Sequence, residues 1–313
     1  GPVYLDSQFD NGDASSIYEF EMIFTAAGTN GGSEGKKLHS AGPFWDYDVE
    51  DLGPDKEVYR FHMQKENNRA EDDFSRIIAL GQALELSGPA LDAAASQVLD
   101  ADQWMRTFAA RSLIMDFDGY GTTAYRHNHN LKFYVRPEDQ KVLAFLWDID
   151  GAFNLSTTGA LWPQGGPDTL TKLIERPDNL HRFYGHLHDM ISTTWNSTYL
   201  GPWMTSYSTQ AGQNLSANLG QVQQRANFVL SQLPPQTPFV VSDTIEVPGP
   251  TATLGGSGWI NVREIRVQGR PEAIPVTWLS PTSWQATVAV QPGTHVLTLV
   301  AYDFQGSLIG TDM

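Results

Sequence analysis

The stretch Asp116–Phe153 reads DFDGYGTTAYRHNHNLKFYVRPEDQKVLAFLWDIDGAF, and its texture changes along the way. It opens as a polar loop, Asp116 to Asn130. Two strand-like runs follow, Leu131–Val135 and Val142–Trp147, with Pro137, Glu138 and Asp139 as turn formers between them. The expectation is a β-hairpin with loaded outer ends. Asp116, Asp118, His127, His129 and Asn130 precede the first strand, and Asp148 and Asp150 follow the second. Antiparallel pairing brings these two ends to one side of the hairpin. Carboxylates and an amide oxygen meeting there are hard ligands suited to Mg²⁺ or Mn²⁺, and a metal would neutralise their mutual repulsion. Spacing alone leaves the plainer alternative open: Asp116 turns the chain or caps the preceding helix, and Asp148 and Asp150 begin a loop.

Other chemistries fit this stretch less well. Read as a calcium loop from Asp116, it puts Tyr120 fifth and His127 twelfth, where a bidentate Glu is required. His127 and His129 could ligate zinc with an Asp, but two His one residue apart are a weak signal. The sequence has no GxxxxGK[ST], no GxGxxG between a strand and a helix, and no GxSxG.

Working outward, residues 1–56 are rich in Gly, Asp and Ser and read as loops and short strands. After Asp72, Asp73 and Ser75, the residues Phe74, Ile77, Ile78, Gly81 and Leu84 recur at helical spacing. Further helices are expected at Pro89–Val98 and Ala101–Met115. In the latter, Asp102 is a candidate cap and Trp104, Phe108, Arg111 and Met115 form a stripe. Downstream, Arg182–Trp195 and Gln210–Leu233 read as helices, and Pro234, Pro235 and Pro238 then break the chain. Beyond lie short strand-like runs at Phe239–Val241, Trp259–Val267, Val276–Leu279, Trp284–Val290 and His295–Tyr302. They predict an antiparallel β-sandwich over 237–313, with Trp259, Trp278 and Trp284 as core residues rather than a sugar-stacking platform. The expected division is therefore 1–236 and 237–313.

With 36 acidic and 20 basic side chains, the 313 residues carry a formal charge of −16, which argues against nucleic acid and anionic membrane surfaces as partners. At 41% hydrophobic the chain is a folded globular protein. It contains no Cys, which removes disulfides, thiolate nucleophiles and Cys-ligated metals. Apolar runs such as Val142–Trp147 are far shorter than the roughly 20 residues of a membrane-spanning helix, so no membrane insertion is expected.

Residues 1–236 resemble the CotH kinase family, atypical protein kinases named for spore coat protein H. The order carries the resemblance: an Asp-Gly-aromatic turn, an Asn opening a strand, then an apolar strand running into W-D-x-D with Gly and Phe after it. The segment DLGPDKEVYRFHMQKENNRAEDDFSRIIAL and the pair Arg182 and Phe183 fit the same pattern. The fold class implied is α+β: an atypical protein-kinase-like domain, mainly the helical lobe with a β-hairpin carrying the metal site, followed by a small all-β sandwich that looks immunoglobulin-like. The activity implied is phosphoryl transfer from ATP, with Mg²⁺ or Mn²⁺, to Ser or Thr of an exported or surface protein. The location implied is secreted or cell-surface.

By motif, the resemblance implies that Asp118 is the catalytic carboxylate that orients the acceptor hydroxyl. It likewise implies that Asn130 and Asp148 bind the cofactor through its metal, with Asp150 behind them or on a second metal. Eleven residues separate Asp118 from Asn130, which leaves Asn128 as a rival; Asn130 is taken because it immediately precedes the strand. The family's upstream β-rich lobe with its Lys is expected to be missing from a chain that opens GPVYL. Only Lys36, Lys37, Lys56 and Lys65 precede the helices. The alternative function is a non-catalytic surface-binding or structural module on a kinase-like scaffold.

Overall fold

A computed structural model of the chain describes residues 2–10, 12–20, 24–25, 36–37, 48–121, 129–163, 169–242, 249–291 and 293–313. His127 and Asn128 lie outside the described residues. The chain divides into two compact units, Gly1–Leu173 and Ile174–Met313.

The first unit runs α1 (Pro2–Gln8), β1 (Ile17–Phe20), the short pair β2 (Phe24–Thr25) and β3 (Lys36–Lys37), α2 (Lys56–His62) and β4 (Met63–Lys65). Then come α3 (Ser75–Glu85), α4 (Gly88–Val98), α5 (Ala101–Ile114) and the hairpin β5 (Leu131–Val135) and β6 (Val142–Leu146), with α6 (Thr169–Ile174) at the junction. The hairpin is half of a four-stranded antiparallel sheet ordered β4-β1-β5-β6. Tyr18 stands opposite both Lys65 and Phe133, and Phe20 opposite Met63 and Leu131.

Alternation of side chains gives the sheet two faces. On one, Phe133 packs 5.7 Å from Trp104 of α5, and Phe20 packs 5.7 Å from Tyr120. On the other, Ile17, Tyr134 and Leu143 are buried with Leu5 of α1. Strand β6 is an edge, and α5 covers it with side chains. Gln103 donates from Nε2 to the Ala144 carbonyl (2.6 Å) and accepts from the Ala144 N–H (2.9 Å), as a neighbouring strand would. The Trp104 indole N–H donates to the Val142 carbonyl at 2.8 Å. These bonds fix α5 along the hairpin, so its C-terminal end arrives where the outer ends of β5 and β6 meet. The helix starts at Ala101 as expected, but the cap is two residues earlier than Asp102: Asp100 accepts from the Gln103 N–H at 3.2 Å, and Asp102 sits in the first turn.

The second unit holds α7 (Pro177–Thr193), α8 (Ser197–Ala211), α9 (Ser216–Gln232), β7 (Val240–Val241), β8 (Thr251–Ser257), β9 (Glu264–Val267), β10 (Val276–Ser280), β11 (Ser283–Ala289), β12 (Leu299–Tyr302) and β13 (Leu308–Asp312). Its strands form two antiparallel sheets, ordered β10-β11-β8-β7 and β13-β12-β9. Val241, Trp284 and Ala286 of the first share a core with Ile265, Leu299 and Ala301 of the second. Trp278 and Trp284 are buried there as expected, whereas Trp259 is only partly buried.

Two sequence expectations differ from this architecture. The polar stretch Gln210–Leu233 is not one helix. Helix α8 ends at Ala211 with Gly212 left-handed at φ 64°, and α9 starts at Ser216. Strands β8 and β13 lie outside the expected strand runs, and the strand expected from Trp259 starts at Glu264. The compact unit that contains the sandwich, Ile174–Met313, also takes in α7, α8 and α9. Its α7 meets β10 directly: the His181 ring stacks on Trp278 with centroids 3.3 Å apart, and the Trp278 N–H donates to Asp178 Oδ1 at 3.2 Å.

Candidate functional site

Helix α5 stops because Met115 turns left-handed at φ 53°, which aims the chain at Asp116. Asp116 is buried. Its Oδ2 pairs with the guanidinium of Arg111, and its Oδ1 accepts from the Asp118 N–H at 3.2 Å. Arg111 also reaches across the hairpin, donating from Nη1 to the Asn130 carbonyl at 3.4 Å. Burial lowers the basicity of Arg111, and the charge of Asp116 opposes that loss. Asp116 is thus a turn-setting residue with both oxygens engaged, and the plainer of the two readings holds for it.

The glycines of the two Asp-Gly steps are required by this packing. A Cβ on Gly119 would run into the Arg111 guanidinium, and one on Gly151 would stand 2.5 Å from Asp116 Oδ1 and 3.1 Å from the Asp118 Cβ. With that space free, the backbone after β6 zips onto the end of α5. The Phe117 N–H donates to the Gly151 carbonyl (3.2 Å), Phe153 to Ile114 (2.8 Å) and Leu155 to Met115 (3.1 Å).

Asn130 is the hub. It is buried, left-handed at φ 57°, and its Nδ2 donates to the carbonyls of Asp118 (2.7 Å) and Asp148 (3.4 Å). One amide therefore joins the Asp-Gly turn to the end of β6. The Asp118 carboxylate is 36% exposed, with Oδ1 3.3 Å from Nε2 of the buried His129. Asp148 is exposed and left-handed at φ 46°, and Asp150 is exposed. Among the described residues, neither the Asp148 nor the Asp150 carboxylate has a partner, nor does Asn130 Oδ1. The loop is closed below by Tyr120, whose N–H donates to the His129 carbonyl at 2.6 Å and whose hydroxyl pairs with Asp48; Asp48 in turn accepts from the Thr169 N–H at 2.6 Å.

Among the described residues no three His, Cys, Asp or Glu side chains gather as a metal-holding group. The oxygen donors on offer are two free carboxylates and an amide, a hard-oxygen set that fits Mg²⁺ or Mn²⁺ in kind but leaves most of the shell to other ligands. Of the early lysines, Lys65 is buried on β4 with Nζ 3.6 Å from Glu71, while Lys56 pairs with Asp72 at 2.6 Å.

Sequence reading missed the scaffold of this site. Arg111 shows in the sequence only as a charge inside an apolar stripe and Tyr120 only as the aromatic of the Asp-Gly-aromatic turn, and Asp48 gives no signal. Lys132 also went unread: its ammonium lies 3.3 Å from the ring centroid of the exposed Trp147, next to Asp148, and 2.6 Å and 3.3 Å from Glu66 and Glu19. Burial, then a hydrogen bond with Glu66, push the Glu19 carboxyl up to about 7 against the pull of Lys132.

Fold and site together define an α+β protein in which a helix end and a sheet hairpin present acidic and amide oxygens around one buried Asn. The family described as CotH kinase protein matches residues 29–233, and the chain belongs to that family. The matched region runs beyond Leu173 and takes in α7, α8 and α9 of the second unit. No curated protein matches the chain.

Proposed function

We propose that this chain transfers the γ-phosphoryl group of ATP, with Mg²⁺ or Mn²⁺, to Ser or Thr hydroxyls of an exported or surface protein. The observation that carries the reading is the Asn130 hub. It ties the turn bearing Asp118 to the turn bearing Asp148, so an orienting carboxylate and a metal-binding one are supplied from opposite ends of one hairpin. When bound, the metal and nucleotide supply the transferable group and neutralise its charge. The residues that would hold them are Asp148 and the Asn130 Oδ1, with Asp150 beside them.

Asp118 has the other task. Its carboxylate stays partly open to solvent while His129 lies against one oxygen, which leaves the other to accept a hydrogen bond from an acceptor hydroxyl. Transfer through a loose transition state needs positioning more than a strong base, and a fixed carboxylate supplies it. Net negative charge over the molecule does not oppose this, because a metal sets the local field.

The sandwich in residues 237–313 is proposed as an immunoglobulin-like module. Counted along the chain, its sheets run fourth-fifth-second-first and seventh-sixth-third, the strand order of seven-stranded immunoglobulin domains. Such modules and the spore-coat origin of the family name support a secreted or cell-surface location.

The test is turnover of radiolabelled ATP onto an acceptor protein, with calorimetry of Mn²⁺ and nucleotide alongside. Asp118→Asn is expected to lose transfer by several powers of ten yet keep metal and nucleotide affinity, and Asp148→Ala to lose both. Transfer at wild-type rate by Asp118→Asn would sink the assignment. Wild-type protein that binds neither nucleotide nor metal would move the reading to a non-catalytic surface module.

A further inference from the structure

The second unit contains a cleft of about 550 Å³, within the roughly 300–1,000 Å³ of small-molecule sites. It lies between α7, the connector around Gln236–Phe239 and the loop that carries Trp259 and Asn261 into β9. The Trp259 indole is fixed rather than loose. Its N–H donates to the Pro234 carbonyl at 2.8 Å, and the His188 ring meets it edge-on with centroids 4.7 Å apart. The ring is partly buried, with part of its surface open to the cleft.

The polar lining has one character. In a chain of net charge −16, no Asp, Glu, Lys or Arg among the described residues lines this cleft. Among the described residues its one titratable group is His188, which burial pushes below the usual imidazole range against the pull of Asp189 and Asp303, favouring the neutral ring. The amides of Gln236 and Asn261 make no hydrogen bond among the described residues.

We infer that this cleft is a carbohydrate site that takes a neutral glycan, with a pyranose face on Trp259 and its hydroxyls on the Asn261 and Gln236 amides. A sugar ring has apolar C–H faces that suit an aromatic plane, and a rim of hydroxyls that both donate and accept, as side-chain amides do. A purely apolar ligand would leave two amides and an imidazole desolvated without partners. A phosphorylated or carboxylated ligand would find no cation to meet it among the described residues. The inference is independent of the proposed phosphoryl transfer, which uses residues of the first unit.

Affinity electrophoresis of the full chain through native gels that contain a soluble neutral glucan, xylan or mannan tests it, with a polyuronate gel for comparison. Retardation is expected in at least one neutral polymer and none in the polyuronate. Asn261→Ala and Trp259→Ala should each weaken it by tenfold or more. Because loss of Trp259 can unfold the loop, the Asn261→Ala and Gln236→Ala variants, checked for unchanged melting temperature, carry the decision. No retardation of wild type in any neutral polymer, or retardation unchanged when both amides are removed, would overturn the inference.

Discussion

At the scale of single residues, the site depends on a buried ion pair that has no part in the chemistry. Arg111 and Asp116 are both shielded from solvent, and between them they bond the Asp118 N–H and the Asn130 carbonyl. A buried pair adds little net stability over an apolar equivalent, but removing one member strands the other as an uncompensated charge. Arg111→Met is therefore expected to destabilise the protein by about 3–5 kcal/mol. Neutralising the stranded partner in Arg111→Met/Asp116→Asn should recover a good part of that loss. Urea denaturation of the two single variants and the double gives the coupling directly. Additive losses would mean that the pair is not the constraint argued here. On the proposed metal role of Asp148, the variants should also weaken Mn²⁺ binding although neither residue is a proposed ligand, because the Asn130 hub loses its anchor.

Secondary-structure elements show where sequence was sufficient and where it was not. Helix α5 and the hairpin were legible because an apolar stripe at helical spacing and two apolar runs around Pro137–Asp139 are local signals. The cap lies two residues before the Asp102 that the sequence suggests, since both Asp100 and Asp102 are good capping types and only backbone geometry separates them. Asp100 has extended φ and ψ and accepts from Gln103, and it also pairs with Arg136 at 3.0 Å. Asp100→Ala is expected to cost about 1 kcal/mol or more, and Asp102→Ala under about 0.5 kcal/mol, read as a difference in thermal midpoint. Equal effects would refute the cap assignment. Strand β1 was not legible as a partner of the hairpin, because pairing with β5 and β4 is decided by residues more than 40 positions away. The same holds for the site. Asp118, Asn130 and Asp148 carried their own signal in residue type and motif order, while Arg111, Tyr120 and Asp48 act through long-range contacts that no spacing records.

For the molecule as a whole, the strands after the proline-rich break share a unit with the helix before α8, and His181 is the joint. Its ring stacks on Trp278, and its two nitrogens lie 2.7 Å and 2.8 Å from the carbonyls of Pro281 and Val262, so one N–H of the neutral ring donates to one of them. A fragment of residues 237–313 lacks this stack and the Asp178 acceptor for the Trp278 N–H, which leaves the edge strand β10 uncovered. A fragment of residues 174–313 keeps both, and is expected to be more stable by about 2–3 kcal/mol. The two fragments should also differ in their response to acid. Burial pushes His181 down to about 4, more than the two carbonyls raise it. Between about 6.5 and 4 the unfolded chain then binds a proton that the folded one refuses, so stability falls as pH drops through that window and levels off below it. The loss for the 174–313 fragment should reach about 3 kcal/mol, and the 237–313 fragment, without His181, should not show it. Denaturant midpoints of both fragments across pH 7 to 4 decide the matter. If instead the longer fragment gains stability on acidification, the two carbonyls hold an imidazolium and the joint is ionic; if both fragments behave alike, α7 is not part of the sandwich's folding unit and the boundary lies at the prolines.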